Sequence, residues 1–236
     1  MILWWDMPGF SDKALISEIF SSLQGEGPLA GERHLFIRFA GCDVGCSYCD
    51  EHEKKGHEMS LESVLEKIEE IEKKEGPHSF VSLTGGEPLL QKDFLALFLP
   101  EIRHRSLRVL LETNGVRWCE LRKVIADCDI ISMDIKLPSV GGHQDFLEEH
   151  QKFLTIASAK KVYIKIIVSA DLNLFEFGQH IAMISRIAPE APIFIQSAQP
   201  EEETMNIFLS ELIQWTRTKL RDVRLGIQLH KMFNMP

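Results

Sequence analysis

The sequence predicts an α/β fold, a partial (open) βα barrel in which about six mainly parallel strands carry outer helices. Short β-rich runs alternate with amphipathic helical stretches, which is the order that βα units produce. Crossover connections of this kind place successive strands parallel in one sheet. Roughly six or seven strand-like runs are too few to close an eight-stranded barrel, so we expect the barrel to stay open.

The predicted strands are short runs rich in β-branched and aromatic residues: His34–Phe39, Phe80–Thr84, Arg108–Glu112, Ile130–Ile135, Val162–Val168, Ile193–Gln196 and Leu225–Leu229. In sheets of this kind ligands bind at the carboxyl ends of the strands, where several loops converge. Polar residues recur at those ends and predict one shared site, formed by Cys42, Thr84, Glu87, Glu112, Asn114, Asp134, Lys136, Gln196 and His230.

Amphipathic helices are predicted between the strands. The first follows a plausible cap at Ser60 and ends at Gly76-Pro77, with apolar residues at three- and four-residue steps from Leu61 to Ile71. Similar patterns predict further helices over Phe94–Ile102, Phe146–Ile156, Phe175–Ile187 and Ile207–Leu220. No repeat or linker divides the chain, so we expect a single domain over residues 1–236.

The composition excludes several classes of protein. The 236 residues are 44% hydrophobic with a formal charge of -9, which argues against a binder of the nucleic-acid backbone. No apolar run approaches the roughly 20 residues that span a bilayer, and the first residues do not resemble a secretory signal. We therefore expect a cytoplasmic protein that acts on a small molecule or on another protein.

Three of the five cysteines, Cys42, Cys46 and Cys49, lie within eight residues directly after a predicted strand. This spacing is typical of metal ligands rather than of a disulfide framework. Three thiolates without a fourth cysteine suit an iron-sulfur cubane with one open iron, whereas a structural zinc site would take His52 or His57 as its fourth ligand. For the other two cysteines, Cys119 and Cys128, we predict no chemistry.

A glycine pair, Gly85-Gly86, ends the next strand and is followed by Glu87-Pro88. Residues without side chains expose backbone groups to a ligand, although such a pair is more often a simple turn. Together with the cysteine loop, which carries Tyr48 before its third cysteine, the turn resembles the radical S-adenosylmethionine (SAM) superfamily. The resemblance implies a radical SAM barrel in which the cysteines bind a [4Fe-4S] cluster and the turn holds the amino group of SAM. Contacts to SAM are implied for Tyr48, Gly85, Gly86, Glu87, Ser132 and Lys136.

Three further segments, Ile19–Gly27, Phe36–Phe39 and Gln228–Lys231, resemble the 7-carboxy-7-deazaguanine synthases of the queuosine pathway. That family converts 6-carboxy-5,6,7,8-tetrahydropterin into 7-carboxy-7-deazaguanine by a radical ring contraction with loss of ammonia. The resemblance implies an external electron donor such as flavodoxin or ferredoxin, and a homodimer. It also implies that the C-terminal segment 224–236 completes the substrate pocket.

A pterin edge requires acceptors for its N–H groups and a donor for its oxygen, and Gln24, Glu26, Gln196 and His230 supply both. Arg38 is suited either to the substrate carboxylate or to a neighbouring acid. By resemblance, Thr84, Glu112 and the carboxylate of Pro236 also line the pocket. Equally, Glu26 is compatible with a turn carboxylate, His230 with a core histidine and Glu112 with a strand-to-loop turn.

Two positions depart from the family pattern. Glu51 stands where relatives carry a threonine or serine whose hydroxyl helps to bind magnesium, and a carboxylate could hold Mg²⁺ there or the ion could be lost. Asp134-Ile135-Lys136 replaces Ser-Pro-Lys, and a similar pair occurs in activases of glycyl-radical enzymes. Such an activase and a zinc-stabilised binding module are therefore the alternative functions.

Overall fold

The computed structural model describes residues 11–49, 51, 54–198, 203–233 and 235. Its strands are β1 (Lys13–Leu23), β2 (Arg33–Phe39), β3 (His57–Ser60), β4 (Phe80–Gly85), β5 (Arg108–Thr113), β6 (Ile130–Ile135), β7 (Lys161–Val168), β8 (Ile193–Ser197) and β9 (Val223–Leu225). Its α-helices are α1 (Leu61–Glu75), α2 (Lys92–His104), α3 (Trp118–Val124), α4 (Pro138–Gly141), α5 (Leu147–Ala157), α6 (Leu174–Ile187), α7 (Glu203–Arg217) and α8 (Leu229–Phe233).

All nine of these strands belong to one open sheet, in the order β3-β1-β2-β4-β5-β6-β7-β8-β9. Neighbours from β2 to β9 pair in parallel, whereas β1 pairs antiparallel with both β2 and β3. The predicted α/β class and the open, mainly parallel sheet are confirmed. The strand number was underestimated, because the antiparallel extension formed by β1 and β3 was not predicted.

The C-terminal strand prediction, Leu225–Leu229, is wrong. Strand β9 ends at Leu225. The next residue, Gly226, still donates its N–H to the carbonyl of Ile195 at 2.7 Å. The chain then leaves the sheet and enters the short helix α8, so His230 lies in a helix and not at the end of a strand. Helix α3 was also absent from the sequence prediction.

Local signals explain the helix after β3. The Ser60 hydroxyl accepts a hydrogen bond from the N–H of Ser63 at 3.2 Å, which caps the first turn of α1. Gly76, with φ of 89°, ends the helix, since a residue with a side chain rarely adopts this conformation. The predicted cap and stop of α1 are both found.

Among the helices of the described residues, none has the length and apolar composition that crossing a bilayer requires.

Alternation along the parallel strands separates the core from the site. Successive side chains point to opposite faces of a strand. One face is apolar and buried against the helices, as at Leu35, Ile37 and Leu83. The other face is polar near the carboxyl ends of the strands, where its residues line a common cavity: Arg38, Thr84, Glu112, Asp134, Lys165 and Gln196.

Candidate active site

A cavity of about 670 Å³ opens at the carboxyl ends of the parallel strands. Sixteen residues predicted for the site line it: Gln24, Glu26, Arg38, Cys42, Cys46, Tyr48, Cys49, Glu51, Thr84, Gly85, Gly86, Glu112, Asn114, Asp134, Lys136 and Gln196. The cysteine loop and the polar strand ends therefore share one cavity. For His230 the structure describes only its place in α8, and Pro236 lies outside the described residues.

The loop that carries the three cysteines is tied to the short helix α4. The N–H of Ser47 donates to the carbonyl of Gly141 at 2.9 Å, and the N–H of Cys49 donates to the carbonyl of Cys46 at 3.2 Å. Cys42, Cys46 and Cys49 are not joined in disulfide bonds, and each is exposed or partly exposed. Three soft, accessible thiols facing one cavity form a donor set that fits an iron-sulfur cluster.

The zinc alternative finds no support from His57. In the part of the chain that the structure describes, no three His, Cys, Asp or Glu side chains converge closely enough to hold a single metal ion. An iron-sulfur cubane does not require such convergence. Each of the three thiolates binds a different iron, so the sulfurs lie around a whole cluster and not around one ion. His52, the other zinc ligand considered, lies outside the described residues.

The glycine turn after β4 packs directly on the start of the cysteine loop. The N–H of Gly86 donates to the carbonyl of Phe39, and that of Glu87 donates to the carbonyl of Gly41, both at 2.9 Å. A Cβ on Gly86 would overlap the carbonyl group of Gly41, and Gly85 has φ of 106°. The turn therefore needs glycine at both positions, and its bare backbone faces the cavity beside the thiols.

Glu87 stabilises this turn from behind rather than from within the cavity. Its buried carboxylate accepts hydrogen bonds from the N–H groups of Leu89 (3.0 Å) and Asn114 (2.8 Å) and from the Thr113 hydroxyl (2.9 Å). Burial raises the pKa of Glu87 to about 7, although these hydrogen bonds oppose the shift. In this structure the carboxylate of Glu87 therefore anchors the turn, and the contact of Glu87 with SAM stays a prediction.

Ser132 also lies away from the cavity. Its side chain is fully buried within β6 and is not among the residues that line the cavity. The structure therefore does not bring Ser132 together with the cysteine loop. Lys136, predicted with it, does line the cavity and lies 5.7 Å above the ring of Tyr48.

At the opposite end of the cavity, Gln24 organises two carboxylates. Its amide Nε2 donates to Glu112 at 2.8 Å, and its Oε1 accepts the backbone N–H of Glu26 at 3.0 Å. The Thr84 hydroxyl donates to the other oxygen of Glu112 at 2.9 Å. Burial raises the pKa of Glu112, and the neighbouring charge of Glu26 adds to the increase.

A chain of partly buried ion pairs joins the two ends of the cavity. Glu26 contacts Lys165 at 2.7 Å, Lys165 contacts Asp134 at 3.2 Å, and Asp134 contacts Lys136 at 2.9 Å. Gln228 adds a donor to the second oxygen of Glu26 at 2.8 Å. Lys165 was not among the residues predicted for the site. A lysine inside the apolar run of β7 was nevertheless a usable signal, since buried lysines require acidic partners.

Arg38 and Glu51 belong to a cluster at the rim. Arg38 contacts Glu51 at 2.5 Å and Glu18 at 2.9 Å, and Lys54 contacts each of these acids at 3.1 Å. The arginine thus pairs with neighbouring acids, which is one of the two roles considered for it. Phe20 and Phe36 stack on each other beside this cluster, with ring centroids 5.1 Å apart, and line the cavity.

Comparison with known proteins places this geometry in context. A model of the radical SAM superfamily matches residues 36–141. A 7-carboxy-7-deazaguanine synthase of Geobacter sulfurreducens is 35% identical and covers 92% of this chain and 96% of its own length. One from Methanopyrus kandleri is 34% identical, with 92% of each protein covered. The crystal structure of QueE from Escherichia coli is similar in fold, with a TM-score of 0.64 at 20% identity over 92% of this chain and 95% of that one.

Proposed function

The chain belongs to the 7-carboxy-7-deazaguanine synthases of the radical SAM superfamily, and from this premise we propose that it converts 6-carboxy-5,6,7,8-tetrahydropterin into 7-carboxy-7-deazaguanine with loss of ammonia. The observation that carries the proposal is the shared cavity. Three thiols and a bare glycine turn line one end, and a set of amides and carboxylates lines the other. Such a cavity is suited to a sulfonium cofactor beside a flat, hydrogen-bonding ring.

The residues at the first end fit the cofactors of this superfamily. Cys42, Cys46 and Cys49 would bind the [4Fe-4S] cluster, and the backbone of Gly85 and Gly86 would face the amino group of SAM. When bound, the cluster and SAM supply the radical that starts the reaction. The chain itself holds the thiols and the turn in contact through two backbone hydrogen bonds at 2.9 Å.

The residues at the second end suit the pterin. Glu26 and Glu112 would accept hydrogen bonds from N–H groups of the ring edge. The side-chain amides would donate to the ring oxygen and bind the remaining nitrogens, and they belong to Gln24, Gln196 and Gln228. Phe20 and Phe36 offer an apolar wall for the ring. Neutral donors and acidic acceptors alternate here, as the edge of a small heterocycle requires. The site therefore suits such a ring better than it suits the protein loop that a glycyl-radical activase binds in an open groove.

The substrate carboxylate would be recognised at the rim. Arg38 already pairs with Glu51 and Glu18, and Lys54 adds a second cation to the same acids. We propose that the substrate carboxylate takes the place of one acid at this cluster. By resemblance, His230 and Pro236 of segment 224–236 would complete the pocket.

The magnesium ion implied by the resemblance does not fit the observed donors. Glu51 stands at the expected position, but one of its oxygens contacts both Arg38 and Lys54. A divalent cation would have to displace these two positive groups, which already balance the charge of the carboxylate. We propose that this cluster replaces Mg²⁺ and that the reaction does not require it.

The decisive experiment is anaerobic reconstitution with iron and sulfide, followed by incubation with SAM, a reductant and the carboxypterin. Mass spectrometry should detect 7-carboxy-7-deazaguanine, with little net consumption of SAM. An external donor such as flavodoxin or ferredoxin should replace the chemical reductant, and sedimentation should show a homodimer. Stoichiometric cleavage of SAM with the carboxypterin untouched would instead favour the activase, and zinc without iron after anaerobic purification would favour a binding module.

A further inference from the structure

Lys165 is a buried cation that no sequence motif assigned to the site. It lies in the middle of β7, between apolar neighbours that face the core, and only 8% of its surface is exposed. Its ammonium contacts Glu26 at 2.7 Å and Asp134 at 3.2 Å. A buried charge is tolerated only when it is paired, so these acids are what keep a lysine stable at this position.

Glu26 is held in place on both sides. Gly27, with φ of 69°, packs its bare backbone against the ring of Tyr163, where a Cβ would lie only 2.6 Å from the nearest ring carbon. This contact seats the loop of Glu26 against β7, two residues before Lys165. The second oxygen of Glu26 accepts a hydrogen bond from Gln228 at 2.8 Å, so both carboxylate oxygens have fixed partners.

The charges around Glu26 are unbalanced without the lysine. Lys165 and Tyr163 face it from β7, Asp134 faces it from β6, and Glu112 faces it from β5. Within the described part of the chain, Lys165 is the cation in contact with Glu26, whereas Asp134 has a second partner in Lys136 at 2.9 Å. Removal of Lys165 would therefore leave Glu26 without a positive partner among the described residues, whereas Asp134 would keep Lys136.

We propose that Lys165 is a positioning residue of the pterin site: its ammonium keeps Glu26 ionised and correctly oriented, so that this carboxylate accepts the N–H groups of the substrate. The proposal rests on the proposed function. Burial alone would raise the pKa of Glu26, but the charge and hydrogen bond of Lys165, with that of Gln228, hold it below its usual value. Without the lysine, the partly buried carboxyl of Glu26 should bind a proton and lose its capacity to act only as an acceptor.

The first test compares Lys165→Met with Lys161→Met in the reconstituted enzyme. Lys161 is the matched control, because it is an exposed lysine on the same strand. We expect KM for the carboxypterin to rise at least about 30-fold in Lys165→Met, as for other broken buried charge pairs, while kcat at saturation changes much less. Lys161→Met should behave as the wild type, and Lys165→Arg should recover most of the affinity.

The pH dependence of KM separates positioning from general destabilisation. In the wild type, KM should be nearly flat between about pH 6 and 8, because Glu26 stays ionised. In Lys165→Met, KM should increase as the pH falls through the same range, because Glu26 becomes protonated. A uniform loss of activity with an unchanged KM profile would overturn the proposal.

A second test does not depend on turnover. In Lys165→Met, the pKa of Glu26 should exceed its unfolded value, so the melting temperature should fall relative to Lys161→Met as the pH rises above about 5. The double variant Glu26→Gln/Lys165→Met should lose this pH dependence and regain stability, yet still bind the carboxypterin poorly. If Lys165→Met melts like Lys161→Met at every pH, the proposal fails. If the wild type does not convert the carboxypterin, the proposed function fails, while this unfolding experiment still decides the role of Lys165.

Discussion

The contact between the glycine turn and the cysteine loop makes a strong quantitative prediction for Gly86→Ala. The added Cβ would lie 2.5 Å from the carbonyl carbon of Gly41, and the oxygen of that group is nearer still. Both groups are backbone, so neither can rotate away as a flexible side chain would. The turn and the loop must therefore separate, and the hydrogen bonds Gly86 to Phe39 and Glu87 to Gly41 must lengthen.

The free-energy cost follows from these two effects. Overpacking in a rigid environment costs about 1–3 kcal/mol, and each weakened backbone hydrogen bond adds about 1 kcal/mol. We therefore expect Gly86→Ala to lower the free energy of unfolding by about 3–5 kcal/mol, against a typical total of about 5–15 kcal/mol. The variant should still fold, but its cysteine loop should be displaced from the turn, so that cluster loading and SAM binding decline together.

Chemical denaturation of the apo protein measures the first effect, and iron and sulfide analysis after anaerobic reconstitution measures the second. The matched control is Gly178→Ala in α6, where a Cβ would lie 3.8 Å from Trp215 in ordinary contact. Because alanine favours a helix over glycine, this control should be stabilised by up to about 1 kcal/mol. The reasoning is wrong if Gly86→Ala unfolds at the same denaturant concentration as the wild type and loads iron and SAM normally.

Three further predictions concern single side chains. Glu87→Gln should lower stability by about 1–3 kcal/mol, because an amide cannot accept all of the hydrogen bonds of the carboxylate. The pKa of Glu87 rises on folding from 4.5 to about 7, so wild-type stability should fall as the pH increases across this interval; denaturation at several pH values should show that Glu87→Gln lacks this fall. Glu51→Thr should make turnover depend on Mg²⁺, whereas wild-type turnover after chelation should be unchanged; equal dependence in both would contradict the proposed replacement of the ion. Cys46→Ala should lose bound iron on analysis, and Cys119→Ala, which changes an exposed thiol of α3, should retain it.

The parallel part of the sheet was predictable because its strands carry strong local signals. Apolar β-branched runs end at polar residues, and β6 was predicted with its exact bounds, Ile130–Ile135. Strand β1 was missed because its eleven residues mix serine, glutamate and lysine with apolar residues and contain an irregularity between Ile16 and Glu18. Strand β1 is stabilised by antiparallel pairing with β2. The residues of β1 alone do not reveal that this partner is present.

Most of the site was also predictable, but only as a set of positions. Strand ends in a parallel sheet converge, which is why Thr84, Glu112 and Gln196 line the same cavity. The pairing of individual side chains was not predictable. Glu87 turned behind the glycine turn to accept backbone N–H groups, and Arg38 paired with Glu18, which comes from the strand that the sequence analysis missed.

The alternation of side chains on β7 shows how stability and function depend on the same register. Ile164 and Ile166 are fully buried in the core, and Lys165 between them faces the opposite side, where it meets Glu26. A slip of one residue would bury the ammonium among helices and place isoleucine in the cavity. The hydrophobic core therefore excludes a shift by one residue, and the register that buries Ile164 and Ile166 is also the one that forms the ion pair. Substitutions at Ile164 should therefore lower the free energy of unfolding more than they lower substrate affinity. Substitutions at Lys165 should lower substrate affinity even where the protein remains folded.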